Sequence, residues 1–167
     1  MRRNLTFGLM FLVAILSYVD RQIFTLFQDD IKLELGLNDG QLGLLTGMSF
    51  ALFYAIAAFP IARYADRGDR RLVVALCVMV WSAATALCGV ANSFWQMVLA
   101  RIGLAAGEAG AGPASISLLT EIFPPERRTI VISSMLAASA IGISAGLWLA
   151  GWLSQFFNWR EVFLIVG

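Results

Sequence analysis

The sequence contains no histidine, which excludes a histidine-built metal site and a histidine general base. It has two cysteines, Cys77 and Cys88, within one apolar run. At about 1.5 Å of rise per residue, a helix would hold them roughly 16 Å apart. That is far outside disulfide geometry, so both read as small packing residues. Charge is also scarce: 14% of residues are charged, against about 25% in a soluble domain. The net charge of +1 gives no ground for a nucleic-acid partner. Low-complexity tracts and a soluble linker are missing, which leaves one compact helical bundle as the architecture. No nucleophile–base pair and no metal-ligating cluster is visible, so no enzyme, metal or cofactor is expected.

What the chain has in quantity is apolar length. Hydrophobic residues make up 59% of it and the mean hydropathy is +0.78, which makes a membrane protein the starting class. Crossing a hydrocarbon core takes about 20 mostly apolar residues. The runs predict helices over 5–27, 41–62, 72–91, 94–121 and 129–153. A sixth begins at Trp159 and reaches only Gly167, too short to cross. The expectation is an N-terminal piece of a longer protein whose C-terminal half is absent. Met1-Arg2-Arg3 before an apolar stretch imitates a signal peptide. However, that stretch runs for about 23 residues without an A-x-A cleavage site, so it is taken as a first spanning helix.

The segment Arg63-Tyr64-Ala65-Asp66-Arg67-Gly68-Asp69-Arg70-Arg71 joins the second and third runs. A charged turn this short makes them antiparallel neighbours. Basic residues mark the cytoplasmic side of a membrane protein. Arg2, Arg3, Arg63, Arg67, Arg70, Arg71, Arg127 and Arg128 fall at one end, and only Lys32 and Arg160 at the other. The N-terminus is therefore expected in the cytoplasm, with 28–40 as an outside loop. Asn38 or Asp39 is expected to cap the second helix. Trp95 and Trp159 are expected in an outer aromatic belt, and Pro124-Pro125 should stop the fourth helix.

Small residues mark helix contacts in lipid, where close approach drives association. Helix 5 carries Ser134, Ala138, Gly142, Gly146 and Ala150 at spacing four, helix 2 carries Gly43, Gly47, Ala51 and Ala55, and helix 4 carries Gly103, Gly107 and Gly110. They are either static contacts or sliding surfaces against elements outside the chain.

Ionisable residues inside the spans are costly, about 2.5–3.5 kcal/mol each on insertion scales, so they face partners or a wet cavity. They are Asp20 and Arg21 in helix 1, and Arg101 and Glu108 in helix 4. Counting from the outer ends places Asp20 about 10 Å and Arg101 about 9 Å deep, which makes an Asp20–Arg101 ion pair one reading. The other is that Asp20 or Glu108 takes up and releases a proton. Burial raises a carboxyl pKa and a nearby arginine lowers it, so a carboxylate whose arginine comes and goes loads and unloads its proton.

The 62–71 turn resembles the G-x-x-x-D-R-x-G-R-R signature of the major facilitator superfamily. Asp66, Arg67, Arg70 and Arg71 match, Ala62 replaces the first glycine, and the second is displaced to Gly68. Arg101, Gly107, Glu108 and Ala109 are similar to the superfamily's helix-4 pattern, as are the 123–128 turn and 158–163. Helix 5 has Gly142, Gly146 and Gly151, but Leu147 stands where an antiporter motif has proline. Tyr18-Val19-Asp20-Arg21-Gln22 with Gly107-Glu108-Ala109 is most similar to the bacterial Spinster-like branch. A Y-x-D-R helix 1 also occurs in the anion:cation symporter branch. The resemblance implies the N-terminal six-helix bundle of an all-α transporter fold. By carry-over, Asp20 looks like the proton carrier, with Arg21, Arg101 and Glu108 as its network. Asp66, Arg67, Arg70 and Arg71 look like a gating turn that latches two halves. Tyr18, Gln22, Phe50, Tyr54, Ser115 and Ser139 are candidate substrate-cavity residues.

The function implied is secondary active transport by alternating access, proton-coupled, of an amphipathic or organic-anion small molecule across a bacterial inner membrane. The expected partners are a small-molecule substrate, protons, the bilayer and the other half of the transporter. The alternatives are a sugar-acid or organic anion:cation symporter, and a non-transporting half-bundle acting as a membrane subunit.

Overall fold

The computed structural model describes residues 2–167; the side chains of Arg2, Ser49 and Asp66 fall outside that description. The described residues form six helices and no strands. They are α1 (Arg2–Leu35), α2 (39–67), α3 (Arg70–Val90), α4 (Phe94–Ile122), α5 (Pro125–Leu153) and α6 (Trp159–Val166). α2 is continuous but changes pitch: Asp39–Gly43 is α-helical, Leu44–Met48 is a π-helical turn, and Ser49–Arg67 is α-helical again.

The ends of the helices follow local chemistry. α1 runs on to Leu35, so most of the expected outside loop is helix. The reason is that Phe24, Phe27 and Ile31 continue one buried stripe past the last wholly apolar turn. Gly36 then stops it with φ of 64°, and the Leu37 N–H reaches back to the Lys32 carbonyl at 2.9 Å. This is the glycine-terminated cap in which a left-handed residue satisfies the last carbonyls. Asn38 caps α2 and forms a reciprocal box with Gln41. Asp69 caps α3 through the Arg71 N–H, and Asn158 with Glu161 does the same for α6. The double proline ends α4 at Ile122, yet α5 already begins at Pro125, four residues before the expected start. Proline suits a first helical position because its missing N–H has no partner there anyway.

Four of these helices are long and apolar enough to cross a membrane, over 3–35, 39–65, Arg70–Val90 and Pro125–Leu153. α4 is also long, at 29 residues, but carries Arg101 and Glu108 in its middle and is enclosed by its neighbours. It packs on α2 and α3, α1 packs on α5, and α6 packs on α3. The small residues set these contacts. A Cβ on Gly142 would lie 2.6 Å from the Ile15 carbonyl oxygen, and one on Gly107 2.7 Å from the Trp81 backbone nitrogen. In contrast, the stripe of α2 is unpartnered here: Gly43 and Gly47 have nothing within 4 Å, and Ala51 and Ala55 are exposed.

Apolar clusters fill both ends of the bundle. One gathers Phe24, Phe27, Ile31, Met97 and Phe163, and the other Met10, Val74, Leu118, Leu119 and Phe123. The buried charged residues lie in the layer between them. Trp95 is exposed, whereas Trp159 is buried and gives its indole N–H to Glu34. Trp159 is therefore an anchor inside the bundle, and the expected belt position is corrected. The amphipathic start of α6 turns it inward against Phe163, at 6.2 Å between ring centroids.

Candidate functional site

Asp20 and Arg21 are sequence neighbours, and a helix turns about 100° between neighbours. They consequently face different partners. Asp20, 2% exposed, turns toward α3, where Oδ2 accepts the Trp81 indole N–H and, at 2.6 Å, the Thr85 hydroxyl. Its other oxygen, Oδ1, is buried without a hydrogen-bond partner among the described residues. Arg21 turns toward α4 and donates Nε at 2.7 Å and Nη2 at 2.5 Å to Glu108 Oε2. Its guanidinium also sits 5.5, 4.9 and 5.6 Å from the ring centroids of Tyr18, Phe50 and Tyr54. Cation–π attraction of this kind strengthens when water is excluded.

Arg101 does not pair with Asp20, so that expectation is corrected. Its guanidinium stacks 3.9 Å from the Phe24 ring centroid and 5.2 Å from that of Phe50, and Nε donates to the Leu45 carbonyl at 3.3 Å. Leu45 lies in the π-helical turn of α2. A turn bonded i→i+5 leaves a backbone carbonyl outside the regular ladder, and such turns recur at functional sites. Here the carbonyl faces a buried cation, and rings rather than a carboxylate surround the rest of it.

A cavity of about 160 Å³ opens between α1, α2, α4 and α5. Tyr18, Arg21, Tyr54, Glu108 and Ser115 of the candidate residues line it, together with Ser17. Glu108 Oε1 is buried and has no hydrogen-bond partner among the described residues. The remaining candidates lie elsewhere. Gln22 packs against Gly146 of α5, Phe50 lies between the two guanidiniums, and Ser139 donates to the Leu136 carbonyl of its own helix. Asp20 and Arg101 are not among the residues that line the cavity. In the charged turn, Arg67 and Arg71 are exposed and Arg70 pairs with Glu121 at 2.5 Å. The Asp66 side chain is outside the described residues.

Trp81, Thr85 and the Leu45 carbonyl were not foreseen. A faint signal for the first two was present: a tryptophan in mid-span, away from the interface, with a threonine one turn later on the same face.

The sequence profile of the Major Facilitator Superfamily matches residues 10–167. The chain belongs to that superfamily. It is 37% identical over 160 residues to an MFS-type efflux pump of Mycolicibacterium smegmatis, covering 96% of this chain and 37% of that protein. It is 31% identical over 159 residues to a probable L-galactonate transporter of Escherichia coli, covering 95% of this chain and 35% of that one. Among solved structures it is similar to a bacterial homologue of the human lysosomal transporter Spinster in an inward-facing, unoccupied conformation. There the TM-score is 0.84 at 36% identity, covering 98% of this chain and 40% of the other. This superfamily member therefore spans well under half the length of the relatives it matches. They are membrane transporters and not enzymes, and the Spinster-like resemblance of the Tyr18–Gln22 and Gly107–Ala109 motifs agrees with the structural likeness.

Proposed function

We propose that this bundle is the proton-handling part of a secondary active transporter that works by alternating access and moves an organic anion or amphipathic small molecule. The observation that carries the reading is Glu108: a carboxylate sunk between helices, one oxygen held by Arg21 and the other unpaired beside an open cavity. An unpaired buried carboxylate oxygen is expensive in a membrane interior, and a proton or a ligand donor removes that cost. Protonation weakens the grip on Arg21, whose side chain is 34% exposed. The freed guanidinium, framed by Tyr18 and Tyr54, then offers paired donors to an anionic group. Loss of the proton restores the ion pair and displaces the anion. Proton and anion thus load together, which favours the organic-anion symport reading over export.

In this reading Glu108 carries the proton and Arg21 is its partner. Asp20 and Arg101 hold the frame, and Asp20 fastens α1 to α3. The exposed arginines at the α2–α3 turn suit a cytoplasmic face in a bacterial inner membrane. There Asp66, Arg67, Arg70 and Arg71 latch this bundle to the rest of the transporter, and the bare small-residue stripe of α2 gives it a second contact.

The test is uptake into proteoliposomes of the full-length protein, with and without an inward proton gradient. Sugar acids such as galactonate are assayed beside a lysophospholipid. Gradient-driven uptake of one class, lost in Glu108→Gln, is expected. Uptake indifferent to both the gradient and the substitution overturns proton handling by Glu108. A reconstituted protein that moves neither class supports a non-transporting membrane subunit instead.

A further inference from the structure

Phe50 lies between two cations without lining the cavity. Its ring centroid is 4.9 Å from the Arg21 guanidinium and 5.2 Å from that of Arg101. On its own helix it sits 5.9 Å from the Tyr54 ring, and it packs against the buried cluster of Trp81, Ala84 and Leu104. Trp81 gives its indole N–H to Asp20. One ring therefore adjoins Arg21, Arg101 and a side chain that binds Asp20. The π-helical turn of α2 helps to place it. In an unbroken α-helix, residues five apart point about 140° from each other. The extra residue of a π turn brings both the Leu45 carbonyl and the Phe50 ring to Arg101.

Arg21 has two kinds of partner, an oxygen of Glu108 and three aromatic rings. Loss of the charge on Glu108 removes most of the first attraction and none of the second, because a ring face draws a cation through its quadrupole. Of the three rings, Tyr18 and Tyr54 line the cavity and carry hydroxyls that an entering anion can engage. Phe50 has no polar group and is not among the lining residues, so an occupant leaves it in place. On the reading that Glu108 carries a proton, we propose that Phe50 is a positioning residue for Arg21. Its ring keeps the guanidinium at the cavity when Glu108 is protonated, so that an anion meets donors already in place. Phe50 thus supports another side chain instead of touching the substrate, which is the role the sequence suggested for it.

The test reads Arg21 directly and needs no transported substrate. Purified full-length protein in detergent is isotopically labelled at arginine Nε, and exchange of each Nε–H with water is followed by NMR. Arg21 is assigned by the loss of its signal in Arg21→Lys. Arg160, whose Nε is bonded to Glu34, is the reference. Glu108→Gln imitates the protonated acid, and in that variant the Arg21 Nε–H should stay slow. Adding Phe50→Leu should quicken it about five- to thirtyfold. Adding Phe50→Tyr instead keeps a ring, and should match Glu108→Gln alone. If Phe50→Leu also releases Arg160, Phe50→Met takes its place and the same comparison decides. An Arg21 freed as fully by Glu108→Gln alone as with Phe50→Leu would overturn the proposal, and so would equal exchange with leucine and tyrosine. In proteoliposomes that take up galactonate or a lysophospholipid, Phe50→Leu should raise KM by a similar factor while Phe50→Tyr keeps it near the parent's; an unchanged KM would also overturn it. A protein that transports neither removes the transport reading and leaves the exchange comparison to decide on Phe50.

Discussion

Substituting Gly142 by alanine tests the contact that sets the rotation of α1. A Cβ at Gly142 would meet the Ile15 carbonyl oxygen at 2.6 Å and the Tyr18 Cβ at 2.7 Å, whereas ordinary contact begins at 3.4 Å. The first obstacle is helix backbone, which cannot swing aside as a side-chain tip does. α1 and α5 must therefore separate, and the next close approach along the stripe, where a Cβ on Gly146 would lie 2.9 Å from the Val19 Cα, loosens with it. Alanine's better helix propensity acts the other way by about 1 kcal/mol, but overpacking costs about 1–3 kcal/mol. The separation also spreads beyond one site, so overpacking prevails and a net loss of up to about 2 kcal/mol is expected. For a chain of this size that lowers the thermal midpoint by up to about 8 °C. Gly151→Ala is the control, since nothing lies within 4 Å of a Cβ there; it should leave the midpoint unchanged or raise it. The assay is thermal unfolding of the two purified variants in detergent beside the parent. Equal midpoints for Gly142→Ala and Gly151→Ala would refute the claim that this stripe is a close static contact.

Four further outcomes are expected. Glu108→Gln should abolish gradient-driven uptake in proteoliposomes. Asp20→Asn should reduce it less, because the asparagine oxygen still accepts from Trp81 and Thr85; the reverse order would move the proton site to Asp20. Arg101→Lys loses the planar stack on Phe24 and the bond to the Leu45 carbonyl, and should destabilise the bundle by about 2–3 kcal/mol, read as a lower thermal midpoint. Arg160→Ala releases the Gly89 and Ala91 carbonyls, held at 3.1 and 2.6 Å, along with the Glu34 carboxylate at 2.8 Å. Hydrogen exchange at the end of α3 and the start of α6 should quicken, while the arginine-rich end keeps its protection.

The fold was legible because a membrane interior leaves a chain little choice. Backbone groups without water must bond within the segment, so apolar length becomes helix. The all-α six-helix bundle and the superfamily were both readable on that basis, aided by the Asp66–Arg71 and Tyr18–Gln22 motifs. Boundaries were less so. The polar turn after Phe27 looked like a loop, but Ile31 and Leu35 carry the buried stripe onward and Glu34 is held by Trp159 and Arg160. Those partners lie more than a hundred residues away in the chain, and no local pattern reveals them. Trp159 was misplaced for the same reason, its fate depending on Glu34 rather than on its own neighbours.

By itself the sequence determined that four ionisable side chains lie within the long apolar runs and that small residues line α5. Both follow from composition along a helix whose period is fixed. Which carboxylate meets which arginine was decided only in three dimensions. Asp20 and Arg21 point about 100° apart, so the rotation of α1 about its axis decides which of them meets α3 and which meets α4. The angle is set by how closely Gly142 and Gly146 let α1 settle against α5, a contact between residues about 125 positions apart that exists only once the bundle has closed.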